Sequence, residues 1–208
     1  MKEDNVFGAF ETKNNRLLSI NRNGKITYSN GKEIAIKYGI KSVDTKAFRN
    51  NVDVDHITLP SSVEYIGNKA FWGCKSLVSV NMPHGVKSIG ECAFALCTSL
   101  EEADIPESVA DIGKCAFGLC FALRRVSLPA GLSAVSLMCF HMCGNLTEIK
   151  IPRSVKTVGD HAFMACEKIK DVFYEGTEKE WNKIDFGKGN EFLKNAEVHF
   201  KCGSEEWK

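Results

Sequence analysis

The chain has 208 residues, 44% of them hydrophobic, with 27 basic and 26 acidic side chains. That length suits one domain, or two at most, and the apolar share excludes a disordered segment. A formal charge of +1 gives no electrostatic reason to expect a nucleic-acid or anionic-membrane partner, and no run approaches the roughly 20 apolar residues of a membrane-spanning helix.

The chain opens on Met1-Lys2-Glu3-Asp4-Asn5, a polar and acidic start that is not a secretory signal. Residues 1–10 suggest no role. Three short strand-like runs follow, at 17–20, 25–28 and 33–36, separated by Asn23-Gly24 and Asn30-Gly31. Asn-Gly between such runs is a strong hairpin cue. Residues 1–30 are therefore expected to form a small N-terminal β cap.

From residue 31 the chain is periodic. Pro60, Pro83, Pro106, Pro129 and Pro152 stand 23 residues apart, and no Pro lies elsewhere. Phe48, Phe71, Phe94, Phe117, Phe140 and Phe163 keep the same interval, as do Cys74, Cys97, Cys120, Cys143 and Cys166. Repetition at this period indicates a solenoid. The unit reads L-x-x-V-x-L-P-x-x-V-x-x-I-G-x-x-A-F-x-x-C. A degenerate first copy has Ile34, Ile36, Ile40, Val43, Ala47 and Phe48, with Lys37 in the Pro position and Asn51 in the Cys position. A partial last copy has Ile169, Val172 and Tyr174.

The second half of L-x-x-V-x-L alternates as a half-buried strand does, and Pro ends it because it offers no N–H to the ladder. Val and Ile, then Gly, then Ala-Phe fit a tight bend and a short helical or 3₁₀ turn. The expected fold is an α/β solenoid over residues 31–175. Its strands form a parallel sheet on the concave face, stepping by about 4.7–4.9 Å, with short turns on the convex face.

Stacked equivalent positions hold their Cβ vectors parallel, whereas a disulfide needs Cβ atoms about 3.5–4.5 Å apart in a specific geometry. The five in-register cysteines are therefore expected to form a column of buried thiols. Cys92 and Cys115 share a second repeat position, Cys139 replaces the Ala of Ala-Phe, and Cys202 is expected to be the exposed thiol. The one dense Cys/His cluster, Cys139-Phe140-His141-Met142-Cys143, lies on the core scheme, so no metal or cofactor is expected. His56, His84, His141, His161 and His199 scatter over different repeat positions and form no catalytic constellation. No phosphate-binding loop, zinc-protease motif or dinucleotide fingerprint occurs, and no enzyme is expected.

In each strand the residues flanking the central apolar position face away from the core. They give Ser79 and Asn81, Glu102 and Asp104, Arg125 and Ser127, Glu148 and Lys150, continued at the ends by His56, Thr58, Asp171 and Phe173. Two readings stand. These residues form a partner-binding face, as solenoids use, or a solvated sheet face whose charges pair sideways, with Arg125 between Glu102 and Glu148. A second surface is the loop edge bearing Trp72, Leu96, Leu119, Phe121 and Met142. It is either an apolar interaction edge or a set of loops folded inward.

The unit L-P-x-x-V-x-x-I-G-x-x-A-F-x-x-C resembles leucine-rich repeats, and more narrowly the BspA-like, or treponemal-type, class, over about residues 31–175. The tail is similar to that class's C-terminal ending, with Phe173-Tyr174-Glu175-Gly176-Thr177, then Glu180-Trp181 and Ile184, then Asn195-Ala196-Glu197-Val198-His199-Phe200. There Thr177 and Glu180 fit a capping box for a short helix carrying Trp181, and residues 176–208 are expected to cap the stack with that helix and a final strand. The resemblance implies a non-catalytic module for protein–protein interaction, in adhesion or host-protein binding. It also implies a bacterial surface or secreted protein whose partner is a host extracellular-matrix or receptor protein. The missing leader and the many reduced thiols point instead to the cytosol. The alternative function is a self-associating structural module, a homo-oligomer joined through the apolar loop edge.

Overall fold

The computed structural model describes the backbone of residues 10–13, 16–21, 24–28, 33–36, 41–202 and 206–207, and the side chains of residues 41–201. The exposure expected of Cys202 lies outside the described side chains. One sheet of 12 strands runs the length of the molecule. It begins with antiparallel strands Phe10–Lys13, Arg16–Asn21, Gly24–Tyr28 and Glu33–Ile36. From Glu33–Ile36 onward the pairing is parallel, through His56–Thr58, Ser79–Asn81, Glu102–Ala103, Arg125–Ser127, Glu148–Ile151 and Asp171–Tyr174. Strand Glu197–Cys202 continues it in parallel, and Glu206–Trp207 closes it antiparallel. The repeat sequence dictates this order: one strand per coil, each apolar centre buried (Ile57, Val80, Ala103, Val126, Ile149, Val172), and no coil able to bury its apolar face alone.

Inside the stack each repeated residue becomes a column. The six phenylalanines from Phe48 to Phe163 are buried and stack ring on ring, with centroids 5.0 to 5.5 Å apart and planes within 16°. Separations slightly beyond the coil spacing make this an offset stack, which avoids the repulsion of a face-to-face sandwich. Beside it runs the thiol column, unbridged and buried. Each thiol donates to the Phe carbonyl of the coil before: Cys74 to Phe48 at 2.8 Å, Cys97 to Phe71 at 3.1 Å, Cys120 to Phe94 at 3.2 Å, Cys143 to Phe117 at 3.2 Å and Cys166 to Phe140 at 3.1 Å. In the first coil Asn51 holds the Cys position, is 8% exposed, and accepts from the Val54 N–H at 3.0 Å.

The convex turns make 3₁₀-type bonds without winding into a helix. Ala47, Arg49 and Asn51 donate to carbonyls three residues back, while Lys46, Phe48 and Asn50 donate to Asn68, Ala70 and Trp72 of the next coil. The alternation arises because residues two before and two after each Phe are left-handed. Lys46, Lys69, Cys92, Cys115, Met138 and His161 have φ between 54° and 63°, and Asn50, Leu96, Leu119, Met142 and Ala165 have φ between 58° and 63°. Left-handed backbone costs a non-glycine residue about 1–2 kcal/mol. Here it is offset by a second, inter-coil ladder that satisfies every other N–H.

A smaller parallel sheet lines the flank after the prolines and breaks once. Strands Ser42–Val43, Tyr65–Ile66, Ser88–Ile89 and Asp111–Ile112 are joined; Ala134–Val135, Thr157–Val158 and Asp185–Phe186 form a separate group. In each coil joined onto a preceding one the residue after the strand is Gly (Gly67, Gly90, Gly113), and a Cβ on Gly90 or Gly113 would lie 2.7 or 2.5 Å from a backbone nitrogen of the preceding coil. Glycine is thus required for the coils to close. At the break the chain has Ser136, whose hydroxyl donates to Ile112 O at 2.6 Å, where Gly113 and Gly159 donate their N–H groups to Ile89 O and Val135 O.

The end of the stack is built as a plug. Thr177 and Glu180 form the reciprocal capping box of helix Glu178–Trp181. The helix buries Trp181, whose ring meets Tyr174 and Phe186 edge-on at 5.3 and 5.2 Å. A second one-turn helix, Glu191–Lys194, buries Leu193. Asn190, 1% exposed, completes the convex ladder where the repeats stop: its Oδ1 accepts from Phe163 N–H at 3.0 Å.

Candidate functional site

The concave sheet carries two rows of outward side chains, set by strand alternation and parallel register. One runs His56, Ser79, Glu102, Arg125, Glu148, Asp171 and Glu197, each directly beside the next. The other includes Thr58 beside Asn81, and Ser127, Lys150, Phe173 and His199 in sequence. The structure therefore brings seven of the eight proposed concave residues onto two strand rows. Asp104 is exposed but falls past the end of strand Glu102–Ala103.

Little sideways pairing neutralises this face. Arg125 reaches only Glu102, at 3.8 Å, with both side chains 66% exposed. Lys150 turns to Glu175 at 2.7 Å instead of across the sheet. Stronger charge contacts lie elsewhere: Glu64 receives both Lys41 at 2.7 Å and Lys87 at 2.6 Å. Hydrogen bonds from these two lysines, with their charges, hold its carboxyl at about 2.

The proposed loop edge divides. Phe121 and Met142 are exposed, at 40% and 36%, while Trp72, Leu96 and Leu119 are half-buried. Arg49 covers the Trp72 ring at 4.8 Å. Leu96, Leu119 and Met142 occupy the same left-handed position in adjacent coils and form one apolar column. Leu137 and Met164, at other repeat positions, are also exposed. Sequence reasoning missed these two: Leu137 stands where neighbouring copies have Lys114 and Asp160, and Met164 where the copy before has His141.

Two further features have no counterpart in the sequence reading. An open groove of about 580 Å³ runs along the flank sheet, lined among others by Tyr65, Gly67, Gly90, Glu91, Gly113 and Lys114. At the end of the concave face, His199 Nε2 lies 2.9 Å from Asp171 Oδ1. Glu197 and His199 lie outside the 23-residue period, so no spacing could align them with Asp171.

Several of the thiols show little nucleophilic character. Burial pushes Cys97, Cys120, Cys139 and Cys143 well above the ordinary thiol range. Half-buried Cys115 is pushed up to about 11, by burial first and then by neighbouring Cys92. Because the thiolate is the reactive form, iodoacetamide at pH 8 should leave the column cysteines and Cys139 unmodified in the folded chain. Their labelling should be at least about a thousandfold slower than after denaturation, as the coils that bury them must open first. Mass spectrometry of the labelled peptides measures this. Column cysteines labelling natively as fast as Cys92 would show that the column is not closed.

A family model, the BspA type leucine-rich-repeat region, matches residues 41–170 in six copies. A search of the curated proteins finds no match. Among solved structures the chain is similar to the Treponema pallidum leucine-rich-repeat protein TpLRR, with 28% identity and a TM-score of 0.67, covering 87% of this chain and 83% of that one. It is also similar to a leucine-rich cell surface protein of Faecalibacterium prausnitzii, with 22% identity, a TM-score of 0.53 and coverage of 85% and 42%. The pneumococcal vaccine antigen PcpA matches with 22% identity, a TM-score of 0.57 and coverage of 81% and 50%. The last two likenesses concern the fold, and the chain spans half or less of those proteins. No helix among the described residues is long and apolar enough to cross a membrane.

Proposed function

The chain belongs to the BspA-type leucine-rich-repeat family, and from that premise we propose that it is a non-catalytic protein-interaction module whose concave face holds an extended protein partner. The observation that carries this reading is the row Ser79, Glu102, Arg125, Glu148, Asp171. Its charges are in register, outward-facing and joined internally by one loose, exposed ion pair. Such a pair contributes about 0.2–1 kcal/mol; besides it, a partner that neutralises the row displaces the Asp171–His199 contact at its end. A host matrix or receptor protein as the partner, adhesion as the role and a surface or secreted location follow from the family resemblance. The test is biolayer interferometry against a panel of matrix proteins with wild type, Glu102→Lys and Arg125→Glu. Each reversal is expected to weaken binding about tenfold or more while leaving stability within about 0.5 kcal/mol. Binding unaffected by both would remove the concave centre from the reading.

The apolar column of Leu96, Leu119 and Met142, with Phe121, supports a second reading as a self-associating module. Sedimentation at several concentrations should then show mass rising with concentration in wild type and not in Met142→Glu. A strictly monomeric wild-type chain would eliminate it.

A further inference from the structure

We propose that the C-terminal end of the concave face is a site for a zinc-like divalent transition-metal ion, held by Asp171, Glu197 and His199. The site shares Asp171 with the protein-binding row, but its test reads metal binding alone. Strand Glu197–Cys202 lies parallel on Asp171–Tyr174, with Glu197 opposite Asp171 and His199 opposite Phe173. This register puts two carboxylates side by side and an imidazole on the diagonal. One ligand atom from each residue lies within 4.8 Å of the other two, and His199 Nε2 is 2.9 Å from Asp171 Oδ1. Donors about 2.0–2.2 Å from a tetrahedral zinc stand roughly 3.3 Å apart. Side-chain rotation alone would bring the three groups to that spacing.

Two features make this more than a pair of acids. The His199 ring lies flat against Phe173, with centroids 4.7 Å apart and planes 18° from parallel, so the stacking holds the plane of the imidazole before any ion arrives. The row Glu148, Asp171, Glu197 also sets three carboxylates on successive strands, where like charges directly opposite repel. Of the cations along these rows, Lys150 pairs with Glu175 and Arg125 lies 3.8 Å from Glu102, while Lys201 follows His199 on the capping strand. One imidazole with two carboxylates suits zinc or cobalt; magnesium and calcium favour all-oxygen sites. The fourth position stays open to water or to a partner's side chain. The ion would join the last repeat strand to the capping strand.

Cobalt(II) tests the site on the full chain, because its spectrum reports the donor atoms. Wild type is expected to bind one equivalent, displaced by zinc, with tetrahedral ligand-field bands and no thiolate charge-transfer band. Asp171→Asn and Glu197→Gln, both at the sheet surface, should each weaken binding about tenfold or more and shift the metal-free melting temperature by no more than a few degrees. Zinc should raise the melting temperature of wild type and not of these variants. A thiolate band would put the metal on cysteines and overturn the assignment. So would affinity unchanged in both variants. Absence of binding at millimolar cobalt would overturn the proposal and leave the cluster as the Asp171–His199 hydrogen bond.

Discussion

Phe117→Ala is expected to destabilise the chain by about 3–5 kcal/mol, the range for emptying a large aromatic site in a closed core. The Phe117 ring is fully buried between Phe94 and Phe140, at 5.2 and 5.5 Å and within 7° and 5° of parallel. Its loss breaks two stacking contacts, each worth about 0.5–1.5 kcal/mol beyond area burial. The backbone cannot collapse to refill the space. Phe117 N–H donates to Cys139 O at 2.9 Å and Phe117 O accepts from Cys143 Sγ at 3.2 Å, so the coils stay at their spacing and the cavity persists. Because each coil of a solenoid contacts only its neighbours, a weakened central interface also uncouples the two halves. Urea unfolding followed by circular dichroism should show a lower midpoint and a shallower or divided transition. A loss under about 1 kcal/mol would mean that the ring column does not carry the core.

Phe117 was legible from the sequence because a repeat writes each core position several times. The Phe, Cys and Pro columns, the alternation of the concave strands and the Thr177–Glu180 box all follow from residue type at a fixed spacing. The left-handed convex positions were not legible. Lys46, Cys92, Met138 and His161 share one backbone conformation but no side-chain chemistry, since inter-coil hydrogen bonds impose it. Ser136 departs visibly from the Gly of its neighbours, yet the resulting break in the flank sheet depends on how closely the coils approach. The Asp171–Glu197–His199 cluster was hidden for a different reason. Asp171 and Glu197 are paired across 197 − 171 = 26 positions, three more than the repeat, because the cap replaces the last turn. The concave residues could be named but not given a partner: at outward positions the scaffold accepts almost any side chain.

Trp181→Ala is expected to remove a comparable amount, about 3–5 kcal/mol, but from the end of the stack rather than its middle. Trp181 is 8% exposed, and the Tyr174 and Phe186 rings it meets close the core beneath the last coil. Its helix is placed by Glu180, which accepts from Thr177 N–H at 2.9 Å and from Arg153 at 2.8 Å. The Thr177 backbone bond first, and Arg153 next, hold the Glu180 carboxyl at about 2. A lowered carboxyl pKa contributes stability above its ordinary value of 4.5, and that contribution fades as pH falls toward about 2. Acid should therefore loosen the same plug that the substitution removes. In a stack coupled only between neighbours, an uncapped end frays inward and exposes apolar surface. Hydrogen exchange with peptide resolution should show protection lost from residues 169–201 in Trp181→Ala and retained across 77–120, with aggregation rising as the end opens. Equal loss along the whole chain would mean that all coils unfold as one unit, and the cap would then be no separate element of stability.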